Sequence, residues 1–238
     1  MGRVTSFTTD SADSWNRYGR IQAATDGARG IGGRLYWDWY QRIGPGAEIL
    51  GDVAGRIVAD LGAGTGRRAA HIAGVLGARL VLAIDASGVQ VARGRGLFKE
   101  VAGLEFIHAD AVTTLQAAPK TLDVAYSHYG AVDFTDPRRL LPAIATALRP
   151  DGTLVISTLA HYKGGRSPEN DVRPATIPVR RDDGTTTSMQ RWVLDAPVWE
   201  KLLSGAGFAD VDTTVLRDPG TEDQPPMATT LIRATRSR

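Results

Sequence analysis

The sequence of 238 residues contains no cysteine. Disulfides and thiolate chemistry are therefore excluded, and a cytoplasmic, reducing compartment is expected. No run approaches the roughly 18 apolar residues of a spanning helix. The first residues lack a basic stretch followed by an apolar one, so no membrane partner is expected. Charge of one sign is scarce too. The net charge is +2 and no dense Lys/Arg cluster occurs, which speaks against a nucleic-acid partner. His71, His108, His128 and His161 never take the H-x-x-x-H spacing of a metal site, so no metal is expected. No internal repeat is evident.

What is present is an ordinary globular composition, 42% apolar and 23% charged. The length suits one domain with additions and a full core. The expected assembly is a monomer or homodimer. Abundant Ala, Gly, Arg and Val with little lysine fit a high-GC bacterial genome.

The most informative stretch follows Gly55. Ile57-Val58-Ala59 is an apolar run short and β-branched enough for a buried strand. Asp60 comes next, then Gly62, Gly64 and Gly66. After Arg67-Arg68 the apolar residues Ala69, Ile72, Ala73 and Leu76 fall at helical spacing. Strand, glycine turn and helix in that order offer free N–H groups to a ligand. The dinucleotide pattern G-x-G-x-x-G needs a third glycine where Arg67 stands. A nicotinamide-dependent oxidoreductase is thereby the weaker alternative, and no Tyr-x-x-x-Lys pair supports it.

Asp60-Leu61-Gly62-Ala63-Gly64-Thr65-Gly66 instead resembles the first motif of class I S-adenosylmethionine-dependent methyltransferases of the small-molecule type. The resemblance implies that Gly62, Ala63, Gly64 and Gly66 pass under the donor's amino-acid portion and that Asp60 holds its ammonium group. A second apolar strand, 79–84, ends in Asp85-Ala86-Ser87. Asp85 lies 23 residues beyond Gly62, near the spacing at which an acid accepts from ribose hydroxyls. The plainer reading is a helix cap for 88–98. Leu104 to His108 is a third strand; Asp110, Ala111 and Val112 after it resemble the family's adenine site. Leu122 to Ser127 is the fourth strand, and the resemblance brings Ser127 to the donor. The Leu148-Arg149-Pro150-Asp151-Gly152-Thr153 junction before the fifth strand, 153–158, also resembles the family.

The expected fold is a doubly wound, Rossmann-like α/β sheet of seven mostly parallel strands with an antiparallel final hairpin. An N-terminal helical lid, 1–50, precedes the donor-binding domain, 51–238, with a substrate-side insertion at 159–194. Asp13 or Ser14 is placed to cap a helix through Ile21, and 35–43 reads as a second helix stopped by Gly44-Pro45-Gly46. Asp182-Asp183-Gly184 signals a hairpin. Tyr18, Trp37, Tyr40 and Tyr129 are candidate substrate-binding residues, although each aromatic alone more often buries a cap against the core. His128, after the fourth strand, is the candidate general base, with His161 as its competitor.

The implied activity is methyl transfer from S-adenosyl-L-methionine to O, N or C of a small molecule, as in bacterial secondary metabolism, leaving S-adenosyl-L-homocysteine. A module that holds the donor without turning it over shares the same motifs.

Overall fold

The computed structural model describes residues 14–21, 33–180 and 183–238. The apolar runs form strands and the 3.6-period stretches form helices. Helix α1 covers 14–21. A 3-10 turn at Ala47–Leu50 leads to β1 (Ile57–Leu61), α2 (Arg67–Gly74), β2 (Leu80–Asp85), α3 (Gly88–Leu97), β3 (Leu104–His108) and α4 (Ala111–Gln116). Then come β4 (Leu122–His128), α5 (Ala131–Phe134), α6 (Pro137–Ala147) and β5 (Leu148–Leu159). The chain closes with β6 (Ala175–Arg180), β7 (Thr186–Arg191), α7 (Ala196–Gly205), β8 (Phe208–Asp218) and β9 (Met227–Arg236).

Seven strands form one sheet in the order β3-β2-β1-β4-β5-β9-β8. β1 pairs parallel with β2 and β4, and β5 pairs parallel with β4. β9 runs antiparallel to β5 and β8, so the expected final hairpin closes the sheet. β6 and β7 make a separate antiparallel pair. The strand order reverses between β1 and β4, and open sheets bind ligands at such a switch point, outside the carboxyl ends.

Strand alternation divides the core. Ala59 and Leu61 face Leu140, Ile144, Trp199 and Leu203 of α6 and α7. Val58 and Tyr126 face Ile72 of α2 together with Trp37 and Leu50. Each fully buried large apolar side chain contributes about 1.5–3 kcal/mol. α6 starts as its sequence dictates: Asp136 accepts from Arg138 N–H, and Pro137 needs no donor at the first turn.

The N-terminal region differs from expectation in one element. Residues 35–43 are turns and irregular backbone, not a helix. The cause is Asp38, which is 1% exposed. Its carboxylate accepts from Tyr40, Arg42 and Ile43 N–H at 3.1, 2.7 and 3.0 Å. One side chain thus takes over donors that a helix would have used. The segment is strapped to the β8–β9 end of the sheet: Arg42 donates both Nε and Nη2 to Asp218, and Tyr40 OH donates to Pro225 O at 2.8 Å. α1 is held against α3 and α5. Asn16 Oδ1 accepts from Val89 N–H and Ser87 Oγ, and Trp15 meets Phe134 edge to face at 4.5 Å. Asp13 and Asp182 lie outside the described residues.

Candidate active site at the carboxyl edge of the sheet

The turn after β1 is dictated by its glycines. Gly62 has φ 81°, and a Cβ there would lie 2.4 Å from Ala131 N. Only glycine lets the β1 and β4 turns touch. Gly64 has φ 58° but meets only Gln90 Nε2, at 3.9 Å, so its face stays open for a ligand. Gly64 N–H donates to Asp85 Oδ2 at 2.7 Å, and Ser87 N–H donates to Oδ1 at 2.8 Å. Burial raises the Asp85 carboxyl, and these two N–H groups pull it back. Each oxygen keeps a further lone pair for a hydroxyl. The cap of α3 is Ser87, whose side chain accepts from Gln90 N–H, so the cap does not consume Asp85.

Asp60 is 2% exposed at the bottom of the crevice. Burial pushes its carboxyl up to about 7; Tyr126 and Arg68 pull it down and Asp85 adds to the rise. The buried Tyr126 hydroxyl lies close enough to Asp60 to lower its pKa. Arg68, on the first turn of α2, donates Nη2 to Tyr36 O at 2.6 Å and to His128 Nε2 at 2.8 Å. Its Nη1 is buried without a partner. Asp60, Gly62, Thr65, Arg67, Arg68 and His128 line a cavity of about 190 Å³. A carboxylate and a guanidinium on the lining of one small cavity match the two charges of an α-amino acid zwitterion.

Arg68 carried no assigned role in the sequence reading. Its signal was a basic pair at a helix start, where the helix dipole disfavours cations. Asn16 was missed as well, since its partners lie about 70 positions on.

His128 is brought to the cavity, but not as a free base. Its Nε2 accepts from Arg68, and its other nitrogen bonds the Asp38 backbone. Burial and then the Arg68 charge hold its pKa well below 6.5. The ring is neutral, with its lone pair occupied. His161 is occupied at both nitrogens too: Nδ1 donates to Tyr162 O at 2.9 Å, and Nε2 accepts from Ala228 N–H at 3.2 Å. It pins the end of β5 to β9.

Several expected site residues also make structural contacts. Ser127 is fully buried; its hydroxyl donates to Leu61 O and accepts from Val132 N–H. Trp37 is 0% exposed, with Nε1 on Gly46 O, so it belongs to the core rather than to a substrate surface. Val112 also packs in the core. Asp110 caps α4, accepting from Thr113 N–H through Oδ1. Ala86 offers its carbonyl to His108. Tyr18 stands 48% exposed on α1. Tyr129 lies between His128 and Trp39, with its hydroxyl bonded to Thr229.

A methyltransferase-domain family model matches residues 58–152, the span from β1 to the start of β5. The demethylmenaquinone methyltransferase of Clavibacter sepedonicus is 30% identical over 180 residues, 69% of this chain and 70% of that protein. The chain belongs to the class I S-adenosylmethionine-dependent methyltransferase family. The O-methyltransferase cnsE of Penicillium expansum is 29% identical over 186 residues, covering 72% of this chain and 63% of that protein; the match thus spans under two thirds of that relative. An S-adenosylmethionine-dependent methyltransferase structure from Mesorhizobium loti is similar with a TM-score of 0.57 and 25% identity, over 79% of this chain and 94% of that one. Membership in the methyltransferase family sets aside the nicotinamide-dependent alternative. It implies S-adenosylmethionine as the cofactor of this chain. Among the described residues, no helix is long and apolar enough to cross a membrane, and no three potential ligands group for a metal.

Proposed function

We propose that this methyltransferase acts on a small organic molecule, at an O, N or C atom, in a biosynthetic setting such as secondary metabolism. The observation that carries the reading is the pairing of the Asp60–Arg68 cavity with Asp85 on one sheet edge. When bound, S-adenosylmethionine supplies a methyl group on a sulfonium, a strongly activated leaving group. The chain's task is then alignment. Asp60 and Asp85 fix two ends of the donor, while His128 and Tyr36 O hold Arg68 in place. Holding both reactants in near-attack geometry can supply about 7–11 kcal/mol in good cases. α1, whose Trp15 packs on Phe134, is the element we assign to cover the bound reactants and keep water out. His128 acts as a positioning residue in this reading, and a protonated acceptor gives its proton to solvent or to its own neighbouring group.

The relatives are named an O-methyltransferase and a demethylmenaquinone methyltransferase, which supports a small-molecule acceptor. Incubation with donor and a panel of phenol, amine and quinol acceptors, read by S-adenosylhomocysteine formation, tests the proposal. Acceptor-dependent product is expected. Donor binding without product from any class would favour a non-catalytic, donor-holding module.

A further inference from the structure

Two cation–aromatic pairs meet the turn that follows β4, where Tyr129 touches His128 of the cavity lining. β4 ends at His128 and α5 begins at Ala131. Tyr129, between them, meets Trp39 edge to face at 4.9 Å. Phe134, closing α5, meets Trp15 of α1 at 4.5 Å. The Lys163 ammonium lies over Trp39 at 4.3 Å, and the Arg191 guanidinium lies over Phe134 at 5.1 Å. Both cations come from the 159–194 insertion, one from the loop after β5 and one from the end of β7.

The two charges are not balanced alike. Arg191 donates to Asp133 at 2.6 Å, and Asp133 is fully buried. Lys163 has no carboxylate within ion-pair distance among the described residues, and it feels both burial and the Arg191 charge. The fold therefore holds one ammonium without a carboxylate partner against the Trp39 indole, linked through Tyr129 to His128 of the cavity lining. Aromatic faces suit a flat molecule, and the extra cation suits an anion.

We propose that the acceptor is a planar molecule carrying an oxyanion, a carboxylate or a phosphate, which docks on these aromatic faces with its anionic group on Lys163. The inference rests on the methyltransferase reading and adds the substrate class. Protein saturated with S-adenosylhomocysteine is titrated with 4-hydroxybenzoate, 4-hydroxyphenyl phosphate and neutral methyl 4-hydroxybenzoate, by calorimetry and tryptophan fluorescence. At least one oxyanion should bind roughly tenfold tighter than the ester, the size of one charge-assisted hydrogen bond. The two anionic arms tell carboxylate from phosphate. Lys163→Met should abolish the preference and Lys163→Arg should keep it, both with unchanged affinity for S-adenosylhomocysteine. Equal binding of ester and anions, a preference that survives Lys163→Met, or no binding of any probe overturns the proposal while leaving the donor site intact. Failure of the wild type to bind S-adenosylhomocysteine overturns both.

Discussion

Donor affinity should depend on pH through Asp60. Its carboxyl titrates near 7 in the folded protein because burial outweighs the pull of Tyr126 and Arg68. In the unfolded chain it titrates near 3.8. A raised acid stabilises the fold only while protonated, so the stability present below pH 3.8 is lost as pH rises through about 7. The interval corresponds to about 4 kcal/mol at most. The donor's ammonium reverses that cost, since it pairs with the ionised form. Affinity for S-adenosylhomocysteine should then fall roughly tenfold from pH 8 to pH 6, and binding near pH 7 should release a fraction of a proton. Calorimetry in two buffers of different ionisation enthalpy measures both. Asp60→Asn should flatten the pH profile, lower affinity at pH 8 and raise the melting temperature of the ligand-free protein there. A flat wild-type profile between pH 6 and 8, or normal affinity in Asp60→Asn, would refute the reasoning.

Arg68→Met should weaken S-adenosylhomocysteine binding by roughly 10- to 150-fold, the cost of a charged hydrogen bond. The analogue lacking the carboxylate should bind wild type and variant alike, and an equal loss for both ligands would remove the carboxylate assignment. Limited proteolysis should show α1 protected by ligand while the 33–46 strap, tied through Arg42 to Asp218, is resistant throughout; cleavage of α1 at one rate with and without ligand would sink the lid.

Features set by neighbours in sequence were legible. The glycine turn, the alternation of strands and helices, and the acids after β1 and β2 depend on residues within a few positions of one another. Features set across the fold were not. Residues 35–43 carry helical spacing, but Asp38 diverts the backbone donors. His128 sits where a base would sit, yet its lone pair is taken by Arg68, 60 positions away. Trp37 has the chemistry for ligand contact but is wholly buried in the core, which follows from packing between layers that no local pattern records. The exposed Lys163 gave no local signal at all, since its meaning depends on Trp39 and Arg191.

The most direct test of the donor site is calorimetric titration of the wild type and Asp85→Ala with S-adenosylhomocysteine. One site per chain is predicted, with affinity lowered by about 1.5–3 kcal/mol in the variant, the range for hydrogen bonds to a charged group. No heat with the wild type, or an Asp85→Ala protein that binds as tightly as the wild type, would contradict the account.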